Sequence, residues 1–248
     1  MRFKNRDNYC INNNREGALM HALHKNFSVN YVLQPIVSKD GNITFFEILG
    51  RVKDENGNVQ SVHPQIATKY TKMLIHYAYT LIDNGFVGNS NVTINLSTDE
   101  INEDIVDNLL FLFARKKVAH KVMIEVTEDV FIGNDKDELL VKLQNNGFKI
   151  ALDDFCSEKS VRSLICDYDF IQTIKFDGVF MQNIKEGRDK LVDGLKHLVS
   201  FVKSLEKETV IEHIENKKLF ETAKIVGADY LQGFYLGTPQ PVEEYKGV

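Results

Sequence analysis

Eight short apolar runs, separated by stretches of helical periodicity, predict a TIM-like (β/α)8 barrel with one antiparallel strand among the first two. Three observations carry that expectation. At 248 residues the chain has the length of a single α/β barrel. After the second run, strand and helix patterns alternate almost without interruption. The first two runs, by contrast, are joined by a short link through Asp40-Gly41, which is too short for a parallel crossover. A doubly wound sheet shares the alternation, but neither Gly-x-Gly-x-x-Gly nor a P-loop occurs.

Residues 1–29 are polar, with a short helix expected from about Arg15 to Lys25, and carry no assigned chemistry; residues 30–248 are expected to form one domain. The first two strands are Tyr31 to Val37 and Ile43 to Leu49. A polar loop from Lys53 to Ser61 precedes a helix opened by Pro64, which suits a first helical position. Its apolar stripe is Ile66, Tyr70, Met73, Tyr77 and Leu81. Strand Val92 to Leu96 leads into the capping box Ser97-Thr98-Asp99-Glu100 and a helix carrying Ile101, Ile105, Leu109 and Leu112. Strand Val122 to Val126 and a helix from Asp135 to Asn145 follow, then strand Phe148 to Leu152. A short helix near Ser160 to Ile165 leads to strand Ile171 to Phe176, and the longest helix spans Arg188 to Glu206. Strand Thr209 to Ile211, a helix from Asn216 to Val226 and strand Tyr230 to Phe234 complete the pattern.

Composition narrows the function classes. A formal charge of −5 is too mild to indicate an anionic partner, and no lysine-arginine cluster suggests duplex nucleic acid. Cys10, Cys156 and Cys166 form no Cys-x-x-Cys pair, which fits a reducing compartment and argues against a disulfide framework or zinc ribbon. The polar start, with Arg2, Lys4 and Arg6, lacks a secretory signal. The longest apolar run, Leu109 to Ala114, is far below the ~18 residues of a spanning helix. The expectation is a cytoplasmic protein without membrane contact.

The chemistry gathers at strand ends. Successive strands offer Glu47, Asn95, Glu125, Asp153 with Asp154, Lys175, Glu212 and Gln232. Each has an ordinary explanation taken alone. Asp153 and Asp154 could cap a helix, Glu47 could face solvent, and Lys175 could snorkel from the core edge. Asn95 could be a turn residue, and Gln232-Gly233 a strand-edge bend. In a barrel, however, the C-terminal strand ends converge on one face. Five carboxylates and an amide around one point form an oxygen-rich pocket suited to Mg²⁺ or Mn²⁺ rather than zinc. Two such ions would activate water and stabilise the leaving oxygen of a phosphate ester, with Lys175 orienting the water or offsetting phosphate charge.

These segments resemble the EAL-domain family of cyclic-di-GMP phosphodiesterases over roughly Asn30 to Pro241. Gln34-Pro35-Ile36 is similar to the family's Gln-Pro-Ile, and Glu47-Ile48-Leu49 with Arg51 to its Glu-Ala-Leu and following arginine. Asn95-Leu96-Ser97 matches Asn-Leu-Ser, and Glu125-Val126-Thr127-Glu128 resembles Glu-Ile-Thr-Glu. Asp153-Asp154-Phe155 matches Asp-Asp-Phe, and Lys175-Phe176-Asp177 resembles Lys-Ile-Asp. Glu212-His213-Ile214-Glu215 resembles Glu-Gly-Val-Glu, and Gln232-Gly233-Phe234 resembles Gln-Gly-Tyr.

The resemblance implies two Mg²⁺ or Mn²⁺ ions, hydrolysis of cyclic di-GMP to linear pGpG, and a homodimer. It implies that Glu47, Asn95, Glu125, Asp153 and Asp154 bind metal, with Glu212 a further ligand or the general base. Lys175 would contact the attacking water, Gln34, Arg51 and Asp177 the substrate, and Gln232 would support the site. Glu128, Glu215 and Ser157 would steady the surrounding loops. The family's Gly-Thr-Gly-Tyr-Ser-Ser after Asp-Asp-Phe is here Cys156-Ser157-Glu158-Lys159-Ser160-Val161, and His213 stands where the family has glycine. With two glycines lost, the backbone there is less free to take positive φ. Those departures keep a second expectation open: a module that binds cyclic di-GMP or a protein without turning it over. A different barrel metal hydrolase would share the carboxylates but gives no reason for Gln34 and Arg51. No sensor or cyclase segment is evident, so regulation is expected through expression, dimerisation or a partner.

Overall fold

The computed structural model describes residues 29–53, 59–61, 70–131, 136–156 and 164–245. Among them, nine strands form one sheet: β1 (Val29–Ser38), β2 (Ile43–Lys53), β3 (Val59–Ser61), β4 (Asn91–Asn95), β5 (Val122–Val126), β6 (Lys149–Phe155), β7 (Thr173–Phe176), β8 (Glu208–Ile211) and β9 (Tyr230–Gln232). Eight close into a ring ordered β1-β9-β8-β7-β6-β5-β4-β2, with β2 pairing back to β1. The predicted reversed strand is β1, antiparallel to both β2 and β9. All other neighbours within the ring are parallel.

Two apolar layers hold the ring. The larger lies between the strands and the surrounding helices, where Ile94, Ile124, Leu152 and Ile174 point outward onto residues such as Ile75, Leu140 and Leu195. The smaller fills the barrel with Ile36, Phe45, Met123, Ala151 and Val210. Side chains alternate across a strand, so the residue two steps beyond each inner one also points inward, nearer the strand's C-terminal end. Those residues are Glu47, Glu125, Asp153 and Glu212. In reversed β1, the corresponding step runs backward from Ile36 to Gln34. One period-two rule thus sets an apolar floor beneath a polar roof.

Within the described residues the expected strands hold, with corrections among the helices; the short helix near Ser160 to Ile165 lies mostly outside them, and the described helix there is Leu164–Asp167. The helix Thr71–Asp83 buries Thr71, Ile75, Ala78 and Leu81. Met73, assigned to its apolar stripe, is exposed. The buried face follows Ile75, Ala78 and Leu81, with Leu74 and Ile82 partly buried against the core, and at its start the Thr71 hydroxyl donates to the buried Glu100 carboxylate. The start at Pro64 and the helix expected at Arg15–Lys25 lie outside the described residues. The capping box at Ser97 and Glu100 is present, but it closes only a single 3-10 turn. Asn102 then caps a separate helix, Glu103–Leu109, by accepting from the Ile105 amide at 3.1 Å. The long helix is Leu191–Ser204, within the expected span, with the buried stripe Leu195, Val199 and Val202; a separate short helix, Val179–Lys185, precedes it where the sequence predicts none. Strand β3 falls in the segment the sequence predicts as loop; Val59-Gln60-Ser61 is short and exposed on every residue.

Candidate active site

The strand ends converge as the barrel requires. Glu47 is fixed from both sides: its Oε1 accepts from Asn95 Nδ2 at 2.7 Å, and its Oε2 from Gln232 Nε2 at 2.6 Å. Two amides can hold this geometry without neutralising the charge. Lys175, 1% exposed, lies among three carboxylates. Its Nζ is 2.7 Å from Glu125, 3.0 Å from Asp153 and 2.9 Å from Glu212. One ammonium therefore faces most of an acidic ring, and the charge remains unbalanced.

The aspartate pair owes its arrangement to a bulge. Leu152 pairs with Ile174 and Phe155 with Phe176, so β6 carries one extra residue against β7. Asp154 takes up the slack with φ 55, in the left-handed region that aspartate tolerates better than most residues. In a regular strand, consecutive side chains would face opposite sides. Here Asp153, Asp154 and Glu212 each bring a carboxylate oxygen within 4.8 Å of the others. The helix-cap alternative fails, because β6 continues through both aspartates to Phe155.

The electrostatics follow from burial and crowding. Burial raises the Glu125 carboxyl well above the usual range; the charges on Glu47 and Asp153 add to this, and Lys175 opposes it. Burial also lifts Glu212, to about 7, again with Lys175 opposing and Asp153 reinforcing. Asp154 rises through burial, then through Asp153 and Asp177. Burial pulls Lys175 down, but Asp153, Glu125, Glu212 and Glu47 outweigh it and hold the ammonium well above its normal pKa. The carboxylates therefore hold Lys175 as an ammonium, which can donate a hydrogen bond or offset negative charge.

These residues suit hard cations. Glu125 Oε1 and Gln232 Oε1 are buried without a hydrogen-bond partner among the described residues. Asp153 Oδ1 is within ion-pair distance of Lys175 but is not aligned as a hydrogen bond. Buried oxygens without donors call for a cation. The all-oxygen set favours magnesium-like ions over softer metals.

The remaining candidates surround this centre. Gln34 lines a cleft of about 310 Å³ with Glu47, Lys175 and Glu212, and its Nε2 donates to Gly237 O at 3.4 Å. Arg51 lines a second cleft of about 490 Å³ that also reaches Asn95 and Glu125. Asp177 accepts from the Val179 amide at 2.7 Å and so anchors the helix that follows. Glu215, also on the first cleft, pairs with Lys185. Glu128 is buried behind Glu125 in the chain. Ser157 lies outside the described residues. Sequence reading missed the second cleft, although Ser97 and Thr127 on its wall each sit two residues past an assigned ligand.

Comparison with known proteins points the same way. The EAL-domain family model matches residues 16–239. The chain is 28% identical to the cyclic di-GMP phosphodiesterase PdeF of Escherichia coli, covering 91% of this chain and 32% of that protein. It is 33% identical to the cyclic di-GMP phosphodiesterase PdeB of Shewanella oneidensis, over 50% of this chain and 14% of that one. It thus spans about a third or less of these relatives. Among solved structures, the EAL-domain protein of Listeria monocytogenes superposes with TM-score 0.77 at 23% identity, covering 93% of this chain and 96% of that one. Bacillus subtilis YkuI, solved with substrate c-di-GMP and calcium, gives TM-score 0.70 at 21% identity, covering 86% of this chain and 56% of that one. These likenesses establish a shared barrel. With most of its length matched by the family model, the chain belongs to the EAL-domain family.

Proposed function

We propose that this chain hydrolyses cyclic di-GMP to linear pGpG with two Mg²⁺ or Mn²⁺ ions, lowering a bacterial second messenger that controls biofilm formation and motility. The observation that carries the reading is the polar roof of the barrel. It holds five carboxylates against one lysine, with a buried Glu125 oxygen left without a donor. Such a site attracts divalent cations and, through them, a phosphodiester. The names of PdeF and PdeB support the substrate, as does the ligand bound to YkuI.

Glu47, Asn95, Glu125, Asp153 and Asp154 would hold the metals, with Glu212 joining them or serving as base. The ions supply Lewis acidity and a water acidic enough to act as nucleophile near neutral pH. Water adds to phosphorus, the P–O3′ bond breaks, the water's proton passes to a base such as Glu212, and the departing oxygen takes up a proton. In the metal-free site burial lifts the Glu212 carboxyl to about 7, a direction that favours its taking up a proton. Lys175 orients the water or offsets phosphate charge. Gln34, Arg51 and Asp177 contact substrate, and Gln232 keeps Glu47 in place. Glu128 and Ser157 steady the neighbouring loops, and Glu215 steadies the rim beside Glu212. A homodimer in the cytoplasm completes the proposal; among the described residues no helix is long and apolar enough to cross a membrane.

One observation favours a second reading, a binding module without turnover. Cys156 adopts φ 70 directly after Asp-Asp-Phe, a conformation costing roughly 1–2 kcal/mol for residues with a Cβ. That strain falls where the loop joins the metal site. Incubation with cyclic di-GMP and Mn²⁺, followed by chromatography, separates the two. We expect pGpG to accumulate; tight binding without product would select the module instead.

A further inference from the structure

We propose that the imidazole face of His213 is a stacking wall for one purine of the substrate, and so a specificity-determining contact. This rests on the phosphodiesterase reading. His213 follows Glu212 and lines the same 310 Å³ cleft. It is held at φ 58, in the left-handed region where glycine is the easy choice. A ring kept in that conformation needs a reason, and the packing supplies half of one. A Cβ added to Gly178 would fall inside the ring's van der Waals envelope, closest to Cγ and almost as close to Cδ2 and Nδ1. An in-plane approach to Cγ is blocked by the histidine's own Cβ. The ring therefore lies with its face on Gly178.

The opposite face is open. His213 is exposed, and no hydrogen bond to either ring nitrogen is present among the described residues. Phe234, 64% exposed, lines the same cleft. The two rings are tied to one rim by backbone: Ile214 N donates to Gln232 O at 3.0 Å, and Tyr235 N to Ile214 O at 2.9 Å. Gly233 packs so closely on Ile214 that no Cβ would fit between them. Two aromatic rings left in water beside an anionic, metal-binding centre would have little to do with the phosphate. They suit the flat, apolar faces of a base. A bare phosphodiester has no use for them, whereas a dinucleotide does.

The test compares parent, His213→Gly and His213→Asn with Mn²⁺ on cyclic di-GMP and on bis(p-nitrophenyl) phosphate, a phosphodiester without a purine. Glycine and asparagine both accept the left-handed backbone, so both variants are expected to fold. Each should raise KM for cyclic di-GMP roughly tenfold with little change in kcat, and lower its kcat/KM relative to the purine-free ester by about the same factor. An unchanged KM, equal losses on both esters, or rescue by asparagine would overturn the stacking role; rescue would assign a polar contact instead. If the parent hydrolyses neither ester, the phosphodiesterase reading fails separately. Equilibrium dialysis of cyclic di-GMP with Ca²⁺ against the same three proteins then decides the His213 contact by the same tenfold contrast.

Discussion

Lys175→Ala is expected to destabilise the metal-free protein by about 3–5 kcal/mol, the range for removing one partner of a buried ion pair. Lys175 is the only cation within ion-pair distance of Glu125, Asp153 and Glu212 among the described residues, and burial leaves little water to replace it. The loss should depend on pH. Glu125 and Glu212 already have raised pKa values, chiefly through burial. A raised carboxyl favours the fold while protonated, and that stability is lost as pH rises through its folded value. Without Lys175 both values rise further, so the penalty should be larger at about pH 8 than at about pH 6. Denaturant melts at both pH values, with and without Mn²⁺, measure it. Added Mn²⁺ should recover more stability in the variant than in the parent. A loss under about 1 kcal/mol at both pH values, as for an exposed pair, would show that Lys175 does not neutralise the cluster.

Glu47→Ala is expected to cut turnover of cyclic di-GMP by at least ~100-fold, since even residues that only orient a metal ligand cost 10–100-fold when lost. Both carboxylate oxygens are set by amide donors, so the charge is presented rather than satisfied. Stability should move differently. Glu47 helps push the Glu125 and Glu212 carboxyls upward, and removing it relieves that repulsion in the metal-free protein. Activity and stability would then part company, as is common where a site is built against the fold's own interest. Steady-state kinetics beside a thermal melt checks both. A variant that cleaves as fast as the parent removes Glu47 from the chemistry.

The site was legible because barrel geometry converts strand-end positions into neighbours. Glu47, Asn95, Glu125, Lys175, Glu212 and Gln232 each end or interrupt an apolar run, and period-two alternation sends them to one roof. What could not be read depended on backbone detail or distant contacts. The Asp153-Asp154 pair looks the same whether it caps a helix or forms a bulge; only the register against β7 separates them. The Thr71–Glu100 contact, at the start of the first described helix, spans 29 positions. Strand β3 had no apolar run to mark it. The fit of His213 on Gly178 joins two residues on different strand-to-helix connections, so the sequence marks His213 as a departure without giving its packing partner. Lys175 was recognised as the single cation, but not as a partner of three carboxylates at once, because ion-pair distances come from side-chain reach rather than spacing.

The most direct test of the central claim is a crystal of this chain soaked with Ca²⁺ and cyclic di-GMP, calcium being used so that the ligand survives. The account predicts density for two ions among Glu47, Asn95, Glu125, Asp153 and Asp154, with one phosphodiester of the ligand over Lys175 and Glu212. Cyclic di-GMP seated there without ions, or ions bound elsewhere with the acidic roof still closed on Lys175, would contradict it.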